Sequence, residues 1–236
     1  MEQSYSKNCR KSENGFIILP MTSNILRTFG FLGTGLIVLA VVFPMILYHG
    51  KLGERFSVLN HFISEIGEVG VSRAAWIFNI GLLLAGLVLL PYVVGMGMVF
   101  DSLLGWLGTA AGVIAVLGVA AVGVFPMNNF KPHKTAATTY FRAGLVMVFF
   151  FGLAILFQPS GKAIIPQAAN MLSLLAFLAY GAFLVWPMAK RKEQTPTDIL
   201  DPQQEPERPR IWVLPILEWL VFFSTIAWIF GMTFFI

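Results

Sequence analysis

Apolar residues in this chain collect in long unbroken runs instead of alternating with polar ones. Six runs lie at about 28–48, 74–99, 103–125, 140–157, 167–188 and 211–235, each near the roughly 20 residues that a helix needs to cross a hydrocarbon core. A closed β-barrel also spans bilayers, but its strands are about 10 residues long and alternate apolar with polar. The pattern predicts an all-α, polytopic integral membrane protein with six transmembrane helices. A polar N-terminal tail, residues 1–27, precedes a six-helix membrane domain at 28–235.

The connections between runs are unequal. Little more than Asp101-Ser102 separates the second run from the third, and Gln158-Pro159-Ser160-Gly161-Lys162 joins the fourth to the fifth. The first, third and fifth connections are longer. The fifth, 189–210, is charged, Pro-rich and almost free of apolar residues, the composition of a disordered loop. With six crossings, the odd-numbered loops share one face of the membrane. The even-numbered loops share the other face with both termini.

Runs one, three and five end in similar tetrapeptides, Val42-Phe43-Pro44-Met45, Val124-Phe125-Pro126-Met127 and Val185-Trp186-Pro187-Met188, all at the odd-loop face. Three copies of a helical hairpin would produce them. So would the preference of aromatics for membrane interfaces and of proline for helix ends. The third run also carries Gly105, Gly108, Gly112, Ala115 and Gly118. This small-residue stripe lets another helix approach closely, and the contact is expected inside the bundle.

Composition sharpens the picture. Apolar residues make up 57% of the chain and charged ones 12%, against about 25% charged in an ordinary soluble protein; the mean hydropathy is +0.76. The formal charge of +4 would hint at nucleic acid in a soluble chain. Here the cations sit between apolar runs, where they set topology, and no basic, aromatic surface remains for a nucleic-acid partner. Cys9 is the sole cysteine, so an intrachain disulfide is excluded and the redox compartment stays open. The polar start lacks the features of a cleavable signal peptide, and the first run is expected to be retained. The expected location is the cell (inner) membrane, as a multi-pass protein.

Orientation has two readings. Loop one carries Lys51, Arg55 and Arg73, loop three Lys131, Lys134 and Arg142, and loop five Lys190, Arg191, Lys192, Arg208 and Arg210. The other face has Lys162 together with Lys7, Arg10, Lys11 and Arg27 around the start of the first run. The larger share predicts cytoplasmic odd loops, whereas cations ahead of the first helix predict the reverse.

The polar residues with chemical potential collect at the odd-loop face. In loop one, Leu52, Phe56, Leu59, Ile63 and Ile66 recur at helical spacing, which predicts an amphipathic helix lying flat on the membrane. Its other faces hold Asn60, His61, Ser64, Glu65 and Glu68, with His61–Glu65 and Ser64–Glu68 as neighbours one turn apart. Loop three offers Asn128, Asn129, Lys131, His133 and Lys134, followed by Tyr140 and Arg142. Asn79 enters early in run two, and Glu218 lies about 10 Å into run six at 1.5 Å per residue. A carboxyl at that depth is costly and marks a functional site with a partner. Arg142 is the first expected partner and His133 the second. The candidate pocket is thus Ser64, Glu65, Asn79, His133, Arg142 and Glu218.

Each residue also has an ordinary role open to it. Glu65 and Glu68 suit solvated loop charges, Asn79 suits interhelical hydrogen bonding, and Arg142 suits a snorkelling topology charge. His133 suits a loop histidine and Glu218 a protonated or snorkelling side chain. Convergence on one face argues for a shared pocket. His61, His133 and Glu65 are ligand types for zinc, but no HExxH-like spacing supports them and nothing specifies a cofactor. Ser64 near His133 and Glu65 has the residue types of a nucleophile system, while no GxSxG elbow or phosphate-binding loop is present. Arg142, Lys131 and Lys134 suit an anionic lipid headgroup. Three functions follow: a lipid-interacting protein without catalysis, an intramembrane hydrolase-type enzyme using Glu and His, and a proton-coupled transporter titrating Glu218. Transport ranks last, because its sites sit near the midplane on broken helices and the prolines here lie mostly at run ends. Membrane lipids are the expected partners; protein partners and oligomeric state are left open.

The stretch Ser64-Glu65-Ile66-Gly67, then Phe78-Asn79 with Gly81 and Gly86, resembles bacterial membrane proteins of domain-of-unknown-function family 998. Gly123-Val124-Phe125-Pro126, His133, an aromatic-rich fourth run and Glu218 early in the last run extend the resemblance over about 28–235. That family is similar in layout to the eukaryotic damage-regulated autophagy modulators and their relatives, linked to lipid remodelling and lipid asymmetry. The resemblance implies a six-helix bundle and a lipid-related role, and it supplies no catalytic residue. It also implies cytosolic termini, against the charge count.

Overall fold

The computed structural model describes residues 23–159, 164–190 and 209–236. The tail up to residue 22 and residues 191–208 of the fifth loop, where composition predicts disorder, lie outside the described residues. The described chain is all-α. Six helices follow one another: α1 Ser23–Ile46, α2 Ala75–Phe100, α3 Leu103–Val124, α4 Phe130–Leu156, α5 Asn170–Lys190 and α6 Val213–Phe235. All six are long and apolar enough to cross a membrane.

Each helix packs on its neighbours in sequence, and α6 returns to pack on α1, so the six form a closed ring. Short even loops force this up-and-down order. The α2–α3 turn shows how little chain is needed. Asp101 takes a left-handed conformation with φ of 40° and its N–H closes on Gly97 O at 2.9 Å. Ser102 then caps α3 by accepting from Gly105 N at 3.1 Å.

Side chains sort by face. Phe78, Tyr92, Phe151, Tyr180 and Trp228 are fully buried between helices, while Leu39, Leu84, Ile114, Phe149, Phe223 and Phe230 are exposed on the outside. On a water-soluble surface such a coat would promote association; against lipid it is the expected solvent match. The small-residue stripe of α3 faces inward. A side chain at Gly108 would meet the Phe151 ring at 3.0 Å, and one at Gly118 would meet the Tyr140 backbone of α4 at 3.0 Å.

Two expectations need correction. Helix α4 begins at Phe130, ten residues before the apolar run. Its polar first turns KPHKTAATTYFR are helical because a helix does not stop where the hydrocarbon does. Loop one is not an amphipathic helix. It is a chain of turns with positive φ at Gly53 and Gly70, ending in one short 3-10 turn, Ile63–Gly67. Leu52 and Leu59 are exposed, whereas Ile66 is fully buried. The 3-10 turn packs on α1, α2 and α6 and plugs the odd-loop end of the ring.

Candidate functional site

The plug owes its shape to local hydrogen bonds. Glu65 N donates to Phe62 O at 3.2 Å, and the Glu65 carboxylate accepts from Phe62 N at 2.8 Å. This reciprocal pair caps the turn and gives the buried Glu65 a structural task. Asn79 Nδ2, from the first turn of α2, donates to Gly67 O at 3.0 Å. Gly67 has to be glycine for this approach, since a Cβ there would lie 2.6 Å from both Asn79 Oδ1 and the Phe78 ring. Glu68 turns outward to Lys51 at 3.1 Å.

Distant segments then latch the plug down. Asn128 of loop three pairs with Val69 in both directions, accepting from its N–H at 2.8 Å and donating to its O at 2.9 Å. Trp212 N donates to Leu59 O at 2.8 Å, Asn60 Nδ2 to Pro209 O at 3.0 Å, and Trp219 Nε1 to His61 O at 3.1 Å. The deepest latch is Glu218 Oε2, which accepts from Ile63 N at 2.7 Å. The helical carboxyl therefore has a backbone N–H as its partner. The expected pairing with Arg142 is not made.

Beneath the plug lies a cavity of about 90 Å³ on the ring axis. Its wall is mostly apolar, with Ile37, Val41, Leu82, Val119 and Phe222 contributed by four different helices. Four polar side chains interrupt it: Ser64 from the plug, His133 and Tyr140 from α4, and Glu218 from α6. His133 Nδ1 is 2.8 Å from Phe125 O. Because a carbonyl only accepts, Nδ1 carries the proton, and Nε2 of the neutral ring is an acceptor. Neither His133 Nε2 nor Glu218 Oε1 has a partner among the described residues. A second cavity of about 40 Å³ continues along the axis and shares Ile37, Val119 and Tyr140 with the first. At their junction, Tyr180 O–H donates to Tyr140 Oη and Thr225 Oγ1–H donates to Tyr180 Oη, both at 3.0 Å.

Of the six candidate residues, three line this cavity: Ser64, His133 and Glu218. Glu65 and Asn79 stand behind them as supports of the plug. Arg142 is absent from the wall. It lies on an outward groove of α4 with Lys134. The Ser64 hydroxyl faces Met127 Sδ at 3.8 Å, so the structure does not join it to His133 as a nucleophile pair. His61 is held within loop one, with Nδ1 2.7 Å from Asn60 Oδ1 and Nε2 4.0 Å from Glu54. Among the described residues no three His, Cys, Asp or Glu side chains group as metal ligands. Tyr180 and Thr225 were missed. Their only sequence signal is a hydroxyl inside an apolar run, which several other positions share.

One family profile matches the chain over residues 31–234, and its description reads "Protein of unknown function (DUF998)". No curated protein and no solved structure matches.

Proposed function

The chain belongs to the DUF998 family, and from the axial cavity we propose that this multi-pass membrane protein, placed in the cell (inner) membrane, interacts with lipid by admitting the small polar end of an amphiphile into that cavity. The observation that carries the reading is the polarity gradient of that cavity. Its plug end presents an imidazole acceptor, His133 Nε2, and a carboxyl oxygen, Glu218 Oε1, neither partnered among the described residues, while its other walls are apolar and adjoin a second cavity. Such a site takes a small headgroup that hydrogen-bonds to an imidazole nitrogen and a carboxyl, a hydroxyl or an amine, with its chain left in the bilayer. A phosphate headgroup does not suit it, because among the described residues neither Lys nor Arg lines the wall. The α1–α6 seam is the slimmest in the ring and borders the cavity through Ile37, Val41, Val221 and Phe222, which makes it the route of access from the bilayer.

Native mass spectrometry of the full-length protein in mild detergent tests this. The expected result is a retained lipid without phosphate, displaced in Ala137→Leu, which fills the cavity, and in Glu218→Gln, which exchanges the carboxylate for an amide. A lipid retained equally in both variants would overturn the proposal. A second reading, an intramembrane hydrolase, is favoured by one observation: an acceptor imidazole nitrogen and a carboxyl face the same small space, a pairing suited to acid–base work. Turnover of a lipid ester, lost in His133→Ala while Ala137 variants still fold, would select that reading.

A further inference from the structure

The first turns of α4 carry a second polar feature that faces away from the cavity. Lys134, Thr138 and Arg142 recur every four residues and form one stripe, with Thr135 and Thr139 beside it. These five residues line an open groove of about 300 Å³ on the outer flank of the helix. Lys134 and Arg142 are exposed, and neither has an acidic partner among the described residues. Lys134 Nζ sits 5.9 Å from the centre of the Phe130 ring. Thr135 gives its hydroxyl to Lys131 O at 3.1 Å, the usual outlet for a helical threonine. Thr138 and Thr139 make no such bond among the described residues, so two hydroxyl donors stand free between two cations.

Depth decides what this groove meets. Helix α4 has 27 residues, about 40 Å at 1.5 Å per residue, against a hydrocarbon core of about 30 Å. With Leu156 at the far boundary, Lys134 stands about 3 Å outside the near edge of the hydrocarbon, and the Arg142 backbone lies about 9 Å inside it, from where the long side chain snorkels toward the headgroups. The groove therefore crosses the layer where lipid phosphates lie.

We propose that this outer groove of α4 binds the phosphate of an anionic phospholipid, with Lys134 and Arg142 flanking it and Thr138 and Thr139 donating hydroxyl hydrogen bonds. The guanidinium supplies a two-pronged contact and the ammonium a point charge. Among the described residues the groove holds no carboxylate to receive the cation of a zwitterionic headgroup, which selects phosphatidylglycerol-like lipids over phosphatidylcholine. This site is separate from the axial cavity and does not depend on what that cavity binds.

The test places the full-length protein in phosphatidylcholine nanodiscs containing a minor fraction of phosphatidylglycerol and counts retained lipids by native mass spectrometry. Wild type retains phosphatidylglycerol about tenfold above its share, the size of a charge-assisted contact. Lys134→Gln with Arg142→Gln abolishes that preference, and Thr138→Val, which keeps shape and charge, lowers it about threefold. An unchanged preference in Thr138→Val and in the double variant overturns the proposal. So does displacement of the lipid by inorganic phosphate alone, which would mark a free-anion site. Ala137→Leu leaves the preference intact; if it abolishes it, the lipid sits in the axial cavity and the groove assignment is wrong.

Discussion

The two ends of the helix ring are built from the same apolar helices and solve their polar problems in opposite ways. At the even-loop end, polar groups are satisfied close by in sequence. Ser102 caps its own helix, and Gln158 serves both its own helix end, donating to Ile155 O at 3.0 Å, and the following turn, accepting from Ile164 N at 2.9 Å. The adjoining interior is filled: Phe151 is fully buried, 5.6 Å from the Trp228 ring and 5.8 Å from the Phe100 ring. At the odd-loop end, hydrogen bonds join residues far apart in sequence, as Glu218 joins Ile63 and Asn128 joins Val69. There the interior keeps a cavity and two polar atoms, Glu218 Oε1 and His133 Nε2, without partners among the described residues. The tight end holds the ring together. The open end spends part of that stability on a space with directed chemistry.

The comparison breaks first on packing. Phe151→Ala removes a buried ring at the tight end and should destabilise the protein by about 3–5 kcal/mol in denaturant-dependent unfolding, with the retained axial lipid unchanged among molecules that remain folded. Loss of that lipid at wild-type folded fraction would show that the two ends are not independent.

At the open end the informative pair is Glu218→Leu and Glu218→Gln. Leucine leaves Ile63 N–H buried without an acceptor, at a cost of about 1–3 kcal/mol. Glutamine keeps an acceptor oxygen, so stability should stay within about 1 kcal/mol of the parent while lipid retention falls. Equal destabilisation by both would mean that the charge itself, and not the acceptor geometry, holds the plug.

The smallest effect sharpens the comparison most. Asn128→Ala removes both bonds to Val69 at the solvated rim, where two such bonds are worth about 1 kcal/mol or less. Global unfolding should barely move, yet amide exchange over residues 60–70 should accelerate while exchange at the α2–α3 turn does not. Uniform acceleration at both ends would show that the plug is not a separately opening unit.

Part of the cavity lining was legible because burying polar groups in lipid is expensive and therefore informative. Glu218 was singled out on that ground and His133 as a loop residue on the same face, and both line the cavity. Arg142 shows where the reading failed. Once α4 is helical from Phe130, nine residues from His133 to Arg142 make about two and a half turns, which sets the two on opposite faces. His133, Ala137, Tyr140 and Phe141 share the inward face by the same geometry, and all four line the cavity. Starting the helix at the first apolar residue hid that rotation. In loop one, a run of apolar residues at helical spacing was outweighed by Gly53 and Gly70, whose positive φ turns the chain out of a helical path.

The chain by itself determined the six crossings, their up-and-down order and the face on which the polar residues collect. Those features follow from local quantities: run length, loop length and the cost of polar groups in hydrocarbon. Only the tertiary structure decided which of those polar residues meet. That depends on where each helix begins, how it is rotated, and which backbone N–H lies within reach of a carboxyl 155 positions away, and no local pattern specifies contacts of that range.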